Sequence, residues 1–181
     1  MDRASDESGD DATGDDMVLG RVRPPVRARG DGFVVGVGDD EAAVIRRLTG
    51  ELRTLLSEEA TDDQARALLL RLFPTAYPDD EEHEVEYQRL MREELVASKL
   101  AALDVVDSAL ADRPARLDEA GLTAFMQSIN SIRLVLGTML DVDDDPTADE
   151  VSEGLENSPE YALYGYLSWL LEHSVRALES G

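Results

Sequence analysis

Apolar side chains recur every three or four residues along most of the chain after Gly38, which is the spacing of one helix face. A first helix carries the stripe Ala42, Ile45, Leu48, Leu52, Leu55 and Leu56. A second is predicted over 62–73, where Pro74 stops it, and a third over 79–111, before Pro114. At 1.5 Å per residue the third helix would be roughly 50 Å long. We therefore expect it to be the central helix of the domain.

Two further helices are marked by their starts. Asp118 has the position and chemistry of an N-cap, and the apolar stripe that follows it begins at Leu122. The last helix begins at Ser158, with proline in the first helical position and glutamate in the second. Together with the preceding three, these patterns predict about five helices.

Before Gly38 the apolar positions alternate with polar ones, which is typical of strands. Two short runs, Val26–Arg29 and Phe33–Val37, flank an Asp-Gly turn and predict a small hairpin. The preceding Pro24-Pro25 pair confines the first strand to a sheet edge.

The predicted fold is therefore mainly α-helical, a single domain of about five helices around a long central helix, with a small N-terminal β-hairpin. The domain is expected to span 20–181. Residues 1–19 are acidic with few apolar side chains, so we predict a disordered tail. Residues 141–157 are predicted to form an acidic loop.

The charge of the chain restricts its partners. Forty acidic residues against 17 basic ones give a formal net charge of −23 and an isoelectric point near 4.2. Such a surface repels phosphate, which argues against direct binding of nucleic acid and against an anionic membrane surface. The sequence holds no membrane-spanning run, and Met1-Asp2-Arg3 does not begin a signal peptide. We expect a cytoplasmic protein whose partner has a basic surface.

Several kinds of catalytic chemistry are missing from the sequence. It has no cysteine, two histidines and one lysine, Lys99. The spacing of Asp141, Asp143 and Asp145 is that of a calcium loop, but Pro146 and Ser152 stand where glycine and glutamate belong. No zinc-protease or serine-hydrolase motif is present. We predict no enzyme activity and no catalytic, cofactor-binding or metal-binding residues.

The alternative is a metal-dependent hydrolase that uses the carboxylates of 79–86. These acids lie at the start of the predicted third helix, where consecutive carboxylates point in different directions. The helix dipole already accounts for their presence.

Two pairs of residues are candidates for a protein interface. Tyr166 and Trp169 share a helix face that differs from the leucine stripe of the last helix. Asn130 and Arg133 are polar residues in the otherwise apolar fourth helix. We predict that Tyr166 and Trp169 are exposed interface anchors, with Asn130 and Arg133 supplying polar contacts. The alternative is that the aromatic rings belong to the core.

Three stretches together resemble a known family: Arg71-Leu-Phe-Pro-Thr-Ala-Tyr77, Asn130-Ser-Ile-Arg-Leu-Val-Leu-Gly-Thr138 and Tyr164-Gly-Tyr-Leu-Ser-Trp-Leu-Leu-Glu172. In this order they resemble an actinobacterial family of unknown-function proteins labelled after the oxidative-stress regulator AosR. The resemblance covers about 20–178. Genes of this family commonly lie near that of the Clp protease adaptor ClpS.

The resemblance implies a helical, non-enzymatic regulator that acts on transcription through a sigma factor under oxidative stress. A disulfide switch cannot be carried over, because the chain has no cysteine. The gene neighbourhood implies a second alternative, an accessory protein to Clp proteolysis.

Overall fold

A computed structural model describes residues 24–58, 62–142 and 158–181. This part of the chain forms five helices and three strands. In chain order they are β1 (Val26–Arg29), β2 (Gly32–Val35), α1 (Asp39–Ser57), α2 (Asp63–Leu72), α3 (Glu81–Ala111), β3 (Ala115–Leu117), α4 (Glu119–Met139) and α5 (Pro159–Ser180). The predicted mainly α-helical single domain with five helices is confirmed. The predicted tail over 1–19 and positions 143–157 of the predicted acidic loop lie outside the described residues.

Local chemistry fixes where most of the helices begin. Four helices start with a side-chain oxygen that accepts a hydrogen bond from the backbone N–H three residues later, at Asp62, Asp80, Asp118 and Ser158. Helix α1 instead follows Gly38, which provides no side-chain cap, and has three acids in its first turn. The caps explain why the sequence predicted these helix starts to within about two residues.

The strands form an antiparallel sheet in the order β1-β2-β3. Arg29 pairs with Gly32, which leaves a two-residue turn, and Gly30 in that turn has a φ of 67° that favours glycine. The predicted hairpin is therefore present, with β1 at an edge. The sequence did not predict β3, whose three residues are too few to show an alternating pattern.

The hydrophobic core is centred on α4, which packs against the other four helices and against β2 and β3. Leu122, Phe125 and Ile129 of α4 are completely buried. The central position expected for the 79–111 helix is thus occupied by α4. The reason is that length does not determine burial: every buried residue of the 31-residue α3 lies between Ala102 and Leu110.

A polar cluster joins α1 to the buried end of α3. Arg53 donates hydrogen bonds to Asp104 at 3.0 Å and to Asp107 at 2.9 Å. The hydroxyl of Thr49, a buried residue of α1, donates to the carboxylate of Asp107 at 3.2 Å. Arg46 donates to the backbone carbonyl of Leu110. These contacts fix α1 against the part of α3 that the core already holds.

Candidate functional site

Three aromatic side chains of α5 lie one above another along the helix. The ring centroids of Tyr166 and Trp169 are 5.8 Å apart, and those of Trp169 and His173 are 4.5 Å apart. Steps of three and four residues place all three side chains on one face. Nδ1 of His173 lies 3.0 Å from the carbonyl oxygen of Trp169, which can only accept a hydrogen bond, so this geometry assigns a proton to Nδ1. We call Tyr166, Trp169 and His173 the aromatic ladder.

The aromatic ladder lies at the border between core and solvent. All three of its residues are partly buried, whereas Leu167, Leu170 and Ser174 of the same helix are completely buried. Tyr166 also packs against the hydrophobic core. From the sequence, Tyr166 and Trp169 were expected to be exposed, whereas the structure leaves both of them partly buried. His173 extends the same face by one turn.

One acidic residue of α1, Glu41, lies near enough to the Tyr166 end of the ladder to act on it electrostatically. Burial, and to a smaller extent the negative charge of Glu41, together raise the pKa of the Tyr166 phenol to about 12. Glu41 belongs to the exposed first turn of α1, together with Asp39 and Asp40. Asp39 is bound to Arg113 at 2.6 Å. The ladder is therefore a partly buried aromatic surface with one carboxylate, that of Glu41, near its Tyr166 end.

We expect replacement of Tyr166 by phenylalanine to remove a pH dependence of stability. A phenol whose pKa is raised from 10.0 to about 12 stabilises the folded state fully below pH 10, and this contribution is lost as the pH rises towards 12. The free energy of unfolding of the unmodified chain should fall relative to that of Tyr166→Phe across this window. Urea unfolding at a series of pH values measures the difference, and parallel curves for the two proteins would contradict it.

Arg133 contacts a different residue of α5, and Asn130 contacts Arg133. Arg133 donates a 2.7 Å hydrogen bond to the hydroxyl of Tyr164, and its guanidinium also donates to Oδ1 of Asn130 at 3.3 and 3.4 Å. The Tyr164 ring lies against Gly137 of α4, where an added Cβ would come within 3.0 Å of it. The contacts of Tyr164 with Arg133 and Gly137 therefore fix α5 to α4.

The structure does not bring the two predicted pairs into one cluster. Tyr164 and Tyr166 are two positions apart in the sequence, which corresponds to about 200° around the helix axis. Arg133 thus contacts the opposite side of α5 from the aromatic ladder. The interface role of Asn130 and Arg133 stays a prediction. The hydrogen bond from Arg133 to Tyr164 depends on how α5 is rotated about its axis against α4, which the sequence pattern does not indicate.

The acids that a metal-dependent hydrolase would use are engaged locally at the start of α3. Asp80 accepts from the backbone N–H of His83, and its second oxygen lies 2.6 Å from Nδ1 of the same residue. Glu84 accepts from Gln88 and from the backbone N–H groups of Ala76 and Tyr77. These bonds lower the pKa of both carboxyl groups. Within the described ranges, no three His, Asp or Glu side chains are placed to hold a metal ion.

Of the three aspartates with the spacing of a calcium loop, the structure describes only the first, Asp141. Asp141 follows α4 with a φ of 53°, the left-handed conformation common just beyond a helix end. Asp143 and Asp145 lie outside the described residues. Among the helices that the structure describes, none is long and apolar enough to cross a membrane.

Comparison with known proteins agrees with the resemblance drawn from the three sequence stretches. The chain is 26% identical over 184 residues to a Mycobacterium leprae (strain TN) protein named "Putative oxidative stress regulator AosR". The alignment covers 83% of this chain and 84% of that protein. No solved structure matches the chain. The model of the family described as "Domain of unknown function (DUF2017)" matches residues 6–178. Because this match spans almost the whole sequence, the chain belongs to the DUF2017 family.

Proposed function

We propose that this protein is a non-enzymatic, cytoplasmic regulator of stress-responsive transcription that acts by contact with another protein. The observation that carries the proposal is its similarity, over 83% of its length, to the mycobacterial protein named as an oxidative stress regulator. The sigma factor implied by the resemblance is the partner we propose. The chain holds no cysteine, so in this proposal the stimulus is not read by a disulfide.

The aromatic ladder is the surface we propose for this contact. Interface hot spots are rich in tryptophan and tyrosine, which bury a large area at a small cost in side-chain entropy. A protein interface typically surrounds such anchors with a polar rim. The ladder has the elements of this arrangement, because Tyr166 and Trp169 are partly exposed and the exposed Glu41 lies near Tyr166.

The charge of the chain supports a basic partner surface. The formal net charge is −23, and the carboxylate of Glu41, which acts electrostatically on Tyr166, is exposed. Complementary charge speeds the encounter of two proteins and disfavours acidic competitors. Under this proposal, binding weakens as the salt concentration rises, since added ions screen exposed charges.

The double variant Tyr166→Ala, Trp169→Ala is expected to weaken partner binding by about 2 kcal/mol or more, roughly 30-fold. The physical reason is the loss of two aromatic anchors from the centre of the contact. The full-length chain would be used to capture proteins from its native host, with identification by mass spectrometry. The affinity of purified partner for each variant would then be measured by calorimetry.

Tyr161→Ala is the matched control. Tyr161 is also an aromatic residue of α5, but its ring stacks on Tyr164 at a centroid distance of 6.5 Å and not on the ladder. Binding should survive this change. Equal binding by the folded double variant would exclude the ladder as the contact surface.

Two other outcomes would favour the alternative functions. Enrichment of Clp subunits without a sigma factor would favour the accessory role in proteolysis. Metal retained stoichiometrically through dialysis would favour the hydrolase.

A further inference from the structure

A cleft of about 310 Å³ lies between α3 and α4, apart from the aromatic ladder. Leu95 and Leu103 of α3 and Leu134 of α4 provide apolar walls, and Leu52 of α1 also lines it. Its polar lining includes Lys99 and Ser128. Small-molecule sites are usually apolar clefts of this size or larger, in which a few polar groups converge.

Lys99, the single lysine of the sequence, is partly buried in this cleft. Its Nζ donates to the hydroxyl of Ser131 at 3.3 Å and lies 5.4 Å from the ring centroid of Phe73. Among the residues that the structure describes, no carboxylate forms an ion pair with it. Burial lowers the pKa of the ammonium group. A partly buried cation without an acidic partner is unusual in a chain with 40 carboxylates.

Ser128 is a second, independent indication of a ligand. The residue is 2% exposed, and its Oγ has no hydrogen-bond partner within the described part of the chain. Buried hydroxyl groups are almost always hydrogen-bonded. The neighbouring Ser131 differs, since it accepts from Lys99 and donates to the carbonyl of Gln127 at 2.9 Å. The lining of the cleft therefore includes an ammonium group and a buried hydroxyl group without a partner.

We propose that this cleft binds a small monocarboxylate with an apolar body. The carboxylate would accept hydrogen bonds from Lys99 and Ser128, and the apolar body would lie among the leucines. A monoanion fits better than a phosphate dianion, because the cleft provides one cation and the surrounding protein carries a formal charge of −23. A fatty acid and an aromatic acid share this chemistry, and separate probes distinguish them.

The single lysine provides a direct test in the intact chain. Protein grown with ¹³C-labelled lysine gives one Cε signal, because Lys99 is the sole lysine. Sodium octanoate, sodium benzoate, octanol and inorganic phosphate would each be added in turn. We expect a saturable shift of the Lys99 signal with at least one of the two carboxylates. Octanol should bind at least about tenfold more weakly than octanoate if the fatty acid is the ligand, since it lacks the charge.

Variants then assign the contacts. Lys99→Met should weaken binding of the active carboxylate by about tenfold or more, and Ser128→Ala by about fivefold, as measured by calorimetry. Arg92→Met is the matched control, because Arg92 also belongs to α3 and also contacts Phe73, at 4.3 Å from its ring centroid, but does not line the cleft. The Arg92→Met variant should bind the carboxylate with the same affinity as the unmodified chain.

The proposal is overturned if neither carboxylate shifts the Lys99 signal at millimolar concentration, or if phosphate binds more tightly than both. Unchanged affinity in folded Lys99→Met would overturn it as well. If that variant fails to fold, the signal of the unmodified protein decides, because it requires no substitution. None of these outcomes depends on the sigma-factor contact, so this proposal and the proposed function fail separately.

Discussion

Phe125→Ala is expected to lower the free energy of unfolding by about 3–5 kcal/mol. Phe125 is completely buried in the first half of α4, the helix that packs against all four others. Its truncation removes a large apolar side chain and leaves a cavity that surrounding helices can fill only in part. Since a domain of this kind is stable by about 5–15 kcal/mol, the loss is a large fraction of the total.

Urea unfolding followed by circular dichroism measures this loss. Leu90→Ala provides the matched control, because Leu90 is a large apolar residue on α3 that is 58% exposed. Its replacement should change stability by no more than about 0.5 kcal/mol. A cost below about 1 kcal/mol for Phe125→Ala would show that α4 is not the centre of the core.

Ser128→Ala is expected to change the free energy of unfolding in the opposite direction and to stabilise the ligand-free protein by about 1–3 kcal/mol. The unpartnered hydroxyl of Ser128 carries a desolvation cost of this order, which alanine does not have. Alanine also has a higher helix propensity than serine, by roughly 0.5 kcal/mol. The surrounding packing is otherwise kept, because only one oxygen atom is removed.

Thermal and urea unfolding of the ligand-free protein would measure the gain. Ser131→Ala is the comparison, since the hydroxyl of Ser131 is engaged with Lys99 and with the Gln127 carbonyl. That change should give no comparable gain. If Ser128→Ala destabilises the protein, the hydroxyl has a hydrogen-bond partner in solution and carries no net desolvation cost. A gain in stability together with weaker carboxylate binding would be the usual conflict between stability and function at a site.

The parts of the fold that the sequence predicted are those that depend on near neighbours. The helix starts at Asp62, Asp118 and Ser158 could be predicted, because each cap is a hydrogen bond that spans only three residues. The Gly30 turn likewise acts on the two strands beside it. The position of α4 at the centre could not be predicted in this way, because it depends on which surfaces the other helices present to it.

The same division applies to the candidate sites. Helical periodicity was sufficient to place Tyr166 and Trp169 on one face, apart from the leucine stripe. It could not show that Arg133 reaches Tyr164, which depends on how α5 is rotated against α4. The cleft that holds Lys99 and Ser128 exists only between two packed helices, and no spacing along the chain indicates it.

The uneven support along α3 has a consequence for its motion. Its buried residues all lie between Ala102 and Leu110, while Val85 and Leu90 nearer its start are 63% and 58% exposed. Isolated helical segments shorter than about 12–15 residues are marginal in water, so the outer turns persist because they continue an anchored helix. Local opening of these turns therefore requires less free energy than global unfolding. Amide hydrogen exchange would record this as protection that increases from Val85 towards Leu103.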